Sequence, residues 1–324
     1  MNFSSLQPVF VCGHYRSGTS LLHHLLDGHS KIGSCAIETK LFVQYIPDLK
    51  DGVDEKVALN TSLLRMFESE ELTNKYYPSV NIKEFKARFD ELQNGSYTDF
   101  KKVMDGYVQT DLEFTGQYNS NLVYWLEKTP LSELFTDDIL EFWPNARFIH
   151  VVRDPRSVHA SVRRRSDFPL EPRTTFHNWS RSLDALSRNQ GFMGPDQLIV
   201  VKYEDMVLNL EREMNRICAF LGVNVEESTL VPTKVGGKVE WRGNSIGEGY
   251  KGVQADSLES WKQFQPISEI KLLEEMSAKR LAKFGYELNF QPSIQMKTKS
   301  VIQKSILKIK ELRQIIRGNH RGAY

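Results

Sequence analysis

The chain has 324 residues, 40% of them hydrophobic, which is long enough to bury a substantial core and typical of a soluble globular protein. Its formal net charge of +1 gives no indication of a nucleic-acid partner. Three cysteines are too few for a disulfide framework, and no apolar run of about 18 residues or signal-like N-terminus is present, so we expect a cytoplasmic protein.

Residues 8–12 form a short apolar run that predicts a buried parallel strand. The stretch GHYRSGTS follows over residues 13–20, and leucines at helical spacing come next. A glycine loop between a strand and a helix directs backbone N–H groups toward an anion. Its G-x-x-x-x-G spacing matches a P-loop, but Thr19 stands where the lysine is expected, and Arg16 supplies a cation from inside the loop. The loop could therefore bind an oxyanion other than a nucleoside triphosphate, or be a structural turn.

Residues 51–120 have apolar positions at helical spacing, and three further apolar runs predict strands at 122–126, 148–152 and 198–201. A periodic helix that ends at Gly222 follows the last of these runs. This alternation predicts an α/β fold of the P-loop NTPase-like, three-layer kind, with a central parallel sheet. We expect one domain over 1–292, with a helical insertion at 51–120.

A second anion site is predicted where the strand at 148–152 ends. Arg153 lies at the strand end, and Asp154 followed by Pro155 is a typical helix start. Ser161 and Arg165 are four residues apart and share one face of that helix. Open α/β sheets bind ligands at the carboxyl ends of their strands. Two such anion sites suit a nucleotide with phosphates at both its 5′ and 3′ positions.

Several motifs occur together and in a characteristic order: YRSGTSLLHHLLDGH, the pair Glu38-Thr39, EKTP at 127–130, FIHVVRDPRSVHAS, and VVKYEDM followed by CAFLG. With them the chain resembles the sulfotransferases that use 3′-phosphoadenosine 5′-phosphosulfate (PAPS), in the branch of the bacterial and protein-tyrosine enzymes. The motifs span residues 8–222, and WRGNSIGEGYKG followed by ESW extends the resemblance to about residue 285.

The resemblance implies a role for each matching residue. The 5′-phosphosulfate would be held by the glycine loop, that is, by Arg16, Ser17, Gly18, Thr19 and Ser20. The 3′-phosphate would be held by Arg153 and Ser161, with Arg165 beside them. Tyr203 would lie near the nucleotide, and Ser245 would line a loop that closes over it. Lys128 would lie beside the bridging oxygen from which the sulfuryl group departs.

Two residues remain candidates for the general base. Glu38 matches the glutamate of the protein-tyrosine and bacterial branch, and His14 in the glycine loop is the competing candidate. The resemblance thus implies Glu38, Arg16 and Lys128 as the catalytic residues and PAPS as cosubstrate, with no metal required. The predicted reaction moves a sulfuryl group to an acceptor hydroxyl on a glycan, a lipid or another molecule, and the insertion at 51–120 is expected on the acceptor side. A nucleotide-dependent kinase and a catalytically inactive protein that binds the product nucleotide (PAP) are the alternatives.

The C-terminal tail, residues 293–324, differs from the rest of the chain. From Met296 to Tyr324 it has eight Lys or Arg residues and one acid, Glu311, and its apolar positions recur at helical spacing. Such a helix can lie on an anionic membrane surface, or it can pack on the domain or on a second subunit of a homodimer. We therefore expect a cytoplasmic protein with either a peripheral membrane contact or a packed tail.

Overall fold

The structure is a computed structural model that describes residues 3–67, 81–164, 171–241, 243, 253, 255 and 258–290. The strands within these ranges are β1 Gln7–Cys12, β2 Ile32–Ser34, β3 Tyr124–Glu127, β4 Arg147–Val152, β5 Leu198–Lys202, β6 Thr233–Lys234 and β7 Val239–Glu240. The α-helices are α1 Thr19–Leu26, α2 Leu41–Lys50, α3 Glu55–Phe67, α4 Ile82–Gln93, α5 Phe100–Phe114, α6 Thr136–Phe142, α7 Pro155–Arg163, α8 Pro172–Asn189, α9 Tyr203–Leu208, α10 Leu210–Leu221, α11 Trp261–Phe264 and α12 Ile267–Lys283.

Five of the described strands form one sheet in the order β2-β3-β1-β4-β5, and every neighbouring pair is parallel. The four strands predicted from apolar runs are all present in it. The fifth, β2, has only three residues and was not predicted. Because the strands are parallel, all their carboxyl ends lie along the same edge of the sheet.

Residues that alternate along β1 pack on opposite faces of the sheet. Phe10 belongs to a core cluster with Trp125, Phe148 and the helices between β2 and β3. Val9 and Val11 belong to a second cluster, which includes apolar residues of α1, α9 and α10. Alternation with period two is what a strand covered on both faces requires. The predicted three-layer α/β fold with a central parallel sheet is therefore confirmed.

The segment 51–120 contains α3, α4 and α5 within its described residues, as the helical spacing predicts. Its aromatic side chains are largely core: Phe85, Phe89 and Tyr107 are each at most 1% exposed. Ring contacts such as that between Phe85 and Tyr107, with centroids 5.7 Å apart, link the helices. Packing in the core thus explains these described aromatic residues, and the place of the segment on the acceptor side stays a prediction.

The chain divides into two compact units, the first made of Met1–Arg153 and Asn178–Leu258, the second of Asp154–His177 and Glu259–Tyr324. In the second unit, α7 begins as predicted, with the Asp154 side chain accepting a hydrogen bond from the Arg156 N–H. The Arg156 guanidinium is buried between Asp154 and Glu274 and lies 4.3 Å from the centre of the Trp261 ring. These two ion pairs offset the free-energy cost of removing the Arg156 charge from water.

The tail at 293–324 lies outside the described residues, so its two alternatives stay predictions. A search for membrane-spanning segments in the described part of the chain finds no helix with the length and apolar character that crossing a bilayer requires.

Candidate active site

The carboxyl ends of the five parallel strands carry the predicted residues in a row. Across the sheet, Glu38 lies in the loop that follows β2, Lys128 comes directly after β3, and the glycine loop follows β1. Arg153 comes directly after β4, and Tyr203 directly after β5. Residues that are up to 165 positions apart in the sequence thus share one sheet edge, which is where open α/β sheets bind ligands.

The glycine loop turns tightly because three of its residues adopt a left-handed backbone. The φ angles are 128° at Gly13, 65° at Arg16 and 98° at Gly18. A Cβ atom on Gly13 would lie 2.4 Å from the carbonyl oxygen of Val151, which excludes any larger residue there. The Ser17 N–H donates to the His14 carbonyl, and α1 begins at Thr19. The N-terminus of α1 therefore opens at the loop and favours an anion.

Arg153 and Tyr203 support the loop from the neighbouring strands. Arg153 is 8% exposed and donates from Nη1 to the carbonyl oxygen of Arg16 over 3.0 Å. Its guanidinium carbon lies 4.1 Å from the centre of the Tyr203 ring. The same ring packs against Gly18, where an added Cβ would lie 2.2 Å from Cδ2 of Tyr203. Tyr203 thus packs against the glycine loop, and its nearness to the nucleotide stays a prediction.

Two buried polar atoms at this point have no hydrogen-bond partner among the described residues: the Ser17 hydroxyl oxygen and Nε of Arg153. Buried polar groups are nearly always hydrogen-bonded, so each such atom points to a group it is built to meet. A hydroxyl and a guanidinium are both donors to anionic oxygens. The residues present therefore fit a phosphate or phosphosulfate oxygen at the glycine loop.

Glu38 and Lys128 form an ion pair in which the Lys128 ammonium donates to Oε1 of Glu38. The Lys128 side chain is 9% exposed and that of Glu38 is 26% exposed. The structure thus brings together two residues that the sequence assigned to catalysis from motifs 90 positions apart. The carboxylate keeps access to solvent, while the ammonium is nearly covered.

His14, the alternative base, is differently placed. It is 2% exposed, and its Nδ1 hydrogen-bonds with the Tyr15 carbonyl oxygen over 2.7 Å, so Nδ1 carries the proton. Burial lowers the pKa of His14 to about 4, although Glu133 and the Tyr15 carbonyl act in the opposite direction. Its Nε2 is buried and has no partner among the described residues. A neutral, covered imidazole is poorly placed to reach an acceptor.

Sequence reasoning missed several residues that support the site. Glu133, fully buried, accepts the Gly13 N–H over 3.0 Å and also accepts the hydroxyl of Ser182. Glu127 and Thr129, which flank Lys128, bond to the residues that follow Glu38. Apart from membership of the EKTP motif, no local pattern distinguishes these residues, because their partners are 49 to 120 positions away.

Three further predicted nucleotide-binding residues remain to be placed. Ser161 lies on α7 in the second compact unit, and Arg165 and Ser245 lie outside the described residues. Their assignment to the nucleotide stays a prediction. Within the described ranges, no three His, Cys, Asp or Glu side chains are grouped as metal ligands, and metal independence likewise stays a prediction.

Comparison with known proteins places these motifs in one family. Residues 8–227 match the model of the sulfotransferase family. A protein-tyrosine sulfotransferase of Drosophila melanogaster is 25% identical over 324 residues, which cover 95% of this chain and 57% of the relative. Protein-tyrosine sulfotransferase 1 of Danio rerio is 26% identical over 298 residues, covering 88% of this chain and 73% of that protein. The chain thus spans little more than half the length of the Drosophila relative.

Solved structures show the same fold. The sulfotransferase domain of the Synechococcus PCC 7002 olefin synthase superposes with a TM-score of 0.58 at 20% identity, covering 88% of this chain and 96% of the domain. The sulfotransferase domain from the curacin biosynthetic pathway gives 0.59 at 19% identity, with 87% and 99% covered. At such identities the likeness concerns the fold alone. The family match, which extends over more than half of the chain and includes the glycine loop and the ends of β3, β4 and β5, shows that this protein belongs to the sulfotransferase family.

Proposed function

We propose that this protein transfers a sulfuryl group from PAPS to an acceptor hydroxyl and releases PAP. The observation that carries the proposal is the row formed by Lys128, the glycine loop and Arg153 at the ends of the adjacent strands β3, β1 and β4. PAPS is an anion, and its binding requires positive charge and N–H groups. The loop directs its N–H groups outward and has a cation on each side. Family membership gives the class of group that is transferred.

Binding of the donor is assigned to the glycine loop and Arg153. The N–H groups at the start of α1, together with the side chains of Arg16, Ser17, Thr19 and Ser20, would surround the 5′-phosphosulfate. PAPS, when bound, supplies an activated sulfuryl group on a good leaving group. This assignment is supported by two hydrogen-bond donors, the Ser17 hydroxyl and Arg153 Nε, which have no hydrogen-bond partner among the described residues. The contribution of Arg153, Ser161 and Arg165 to the 3′-phosphate, and that of Ser245 to a loop that closes over the nucleotide, remain part of the proposal.

Glu38 is the proposed general base, since it keeps access to solvent whereas His14 is covered. It would take the proton of the acceptor hydroxyl as that oxygen attacks sulfur. Lys128 and Arg16 are fixed cations, placed to stabilise negative charge on the bridging oxygen and on the sulfuryl oxygens. Lys128 is held by its ion pair with Glu38, so its ammonium is fixed in position and needs little reorganisation.

We propose that the acceptor is a hydroxyl group. The names of the relatives indicate which acceptor should be tested first. The Drosophila and Danio proteins are named protein-tyrosine sulfotransferases, so a tyrosine-containing peptide should head a panel that also holds glycan and lipid hydroxyls. Transfer to a glycan or a lipid but not to the peptide would redefine the acceptor and leave the donor assignment intact.

Choice of donor tests the proposal directly. Calorimetric titration with PAP, in the presence of EDTA, is expected to show one site per chain, and binding should weaken at least about tenfold in Arg153→Ala because a charged contact is lost. Arg173→Ala, at an exposed arginine of α8, is the matched control and should bind as the wild type does. Tight binding of ATP with Mg²⁺ together with no binding of PAP would contradict the proposal and favour a kinase.

A further inference from the structure

A short hydrogen-bonded cluster joins the two loops that carry Glu38 and Lys128. Oε1 of Glu127 accepts the Thr39 N–H over 3.2 Å and the Thr39 hydroxyl over 3.1 Å. The same oxygen accepts the Thr129 hydroxyl over 2.5 Å. The Thr129 oxygen in turn accepts the Lys40 N–H over 3.2 Å. We refer to Glu127, Thr129, Thr39 and Lys40, with these four bonds, as the clamp.

The residues of the clamp are sequence neighbours of the two residues that form the ion pair. Glu127 and Thr129 are the two neighbours of Lys128 in the sequence, and they bond to the two residues that follow Glu38. We propose that Glu127 and Thr129 are positioning residues, which fix the loop after β2 so that the Glu38 carboxylate meets Lys128 and points toward the acceptor. This inference rests on the proposed function of Glu38 as the base.

Burial explains why the clamp can be rigid. Glu127 is fully buried, and Thr39 and Thr129 are 1% and 3% exposed, so water does not compete for these hydrogen bonds. Burial also raises the pKa of the Glu127 carboxyl, although the hydroxyl and N–H donors around it act in the opposite direction. The backbone at Lys40 is left-handed, with φ of 56°. A non-glycine residue keeps that conformation only where its surroundings hold it.

The side chain that touches the acceptor depends on this support. Glu38 itself has Lys128 as its described side-chain partner, and an ion pair with one partly exposed member contributes little stability on its own. The Ala36 N–H, which donates to Asp111, holds the loop before Glu38, and the four bonds of the clamp hold the two residues that follow Glu38. A displacement of about 1 Å at a reacting group can lower a rate about 100-fold, so loss of the clamp is expected to lower turnover without weakening donor binding.

The test compares Thr129→Val, which keeps the side-chain shape and removes the hydroxyl, with Thr129→Ser, which keeps the hydroxyl. Thr110→Val is the matched control, because Thr110 is likewise buried and the hydrogen bond described for its hydroxyl stays within its own helix, to the Gly106 carbonyl. The readouts are release of labelled sulfate from radiolabelled PAPS, with water as the acceptor, and the affinity for PAP. Thr129→Val should lower kcat about 10-fold or more with unchanged PAP affinity, while Thr129→Ser and Thr110→Val keep wild-type kcat.

A double-mutant cycle separates positioning from a general loss of structure. If Thr129 acts through Glu38, adding Thr129→Val to Glu38→Gln lowers kcat no further. An equal fold-loss in both backgrounds, or a loss in Thr110→Val as large as that in Thr129→Val, overturns the clamp. Two other results would contradict the proposed function itself and not the clamp. They are wild-type turnover in Glu38→Gln and absence of PAP binding by the wild-type chain.

Discussion

Lys128 combines charge with burial, and the role proposed for it concerns catalysis and not stability. Its side chain is 9% exposed, and its ammonium is paired with Glu38. Removing a charge from water costs several kcal/mol unless the partner geometry is good, and replacing such pairs by apolar residues is often neutral for folding. We therefore interpret Lys128, a covered cation at a strand end, as a residue that serves a ligand.

Replacing Lys128 by alanine should lower turnover by about 10² to 10³, the usual consequence of removing one fixed group that stabilises transition-state charge. The fold should persist, since the rest of the strand end is unchanged. Lys50→Ala is the control, because Lys50 also pairs with a carboxylate, Asp138 at 2.8 Å, but is 61% exposed. Steady-state sulfate transfer and circular dichroism are the measurements, and wild-type turnover in Lys128→Ala would contradict the role.

The predictability of these residues depended on where their partners lie. Arg16 and Lys128 could be found because they occur within ordered motifs that follow apolar runs. Glu133 could not be found, because its partner Gly13 is 120 positions away and nothing nearby in the sequence indicates that its carboxylate turns inward. The sequence left Glu38 and His14 open as bases, and only the difference in their burial favours Glu38.

Among the elements, the glycine loop shows how backbone conformation and packing act together. Gly18 combines a φ of 98° with a position against the Tyr203 ring, so both the backbone and the space require glycine. This contact connects the loop after β1 with the start of α9 after β5. The shape of the loop therefore depends on an element far away in the sequence.

Gly18→Ala should destabilise the protein by about 1–3 kcal/mol and lower the affinity for PAP at least about tenfold, since the added Cβ forces the loop or Tyr203 to move. Gly52→Ala is the matched control: its φ is also positive, at 83°, but no atom of the described residues lies within 4 Å of the added Cβ. It should share the backbone strain and keep full PAP affinity. Equal PAP affinity in the two variants, by calorimetry, would show that the Gly18 contact is unimportant.

Most elements could be predicted from apolar runs and from helix start and stop signals. The strands β1, β3, β4 and β5 are apolar on both faces, and α10 ends at Gly222 with a left-handed φ of 69°. β2 was missed because its residues, Ile32–Ser34, form neither an apolar run nor an alternating pattern. The order of strands in the sheet is set by tertiary packing and has no local signal.

For the whole molecule, buried ionisable groups make stability depend on pH. Asp111 is fully buried behind the loop that carries Glu38, and its Oδ2 accepts the Ala36 N–H over 3.1 Å. Burial raises the pKa of Asp111 to about 8, although the Ala36 N–H acts in the opposite direction. The folded chain therefore keeps a proton that the unfolded chain releases near pH 4. This contribution to stability is complete below about pH 4 and is lost as the pH rises toward 8.

Asp111→Asn keeps an oxygen for the Ala36 N–H and removes the titration. Between pH 5 and pH 8, the wild type should lose up to about 4 kcal/mol of stability through Asp111, and the variant should lack this loss. Asp51→Asn, at an exposed residue, is the control and should follow the wild type. Urea unfolding at the two pH values measures the difference, and identical pH dependence in Asp111→Asn and the wild type would refute a protonated Asp111.

The proposed activity of the whole molecule, sulfuryl transfer from PAPS to a hydroxyl, can be measured in a single assay. The wild-type chain is incubated in EDTA with PAPS labelled on sulfur and with the acceptor panel, beside Arg16→Ala. We expect that label moves to a hydroxyl acceptor, that PAP forms in equal amount, and that both fall by about 10² to 10³ in Arg16→Ala. PAP binding without any transfer of label, or equal transfer by Arg16→Ala, would contradict it.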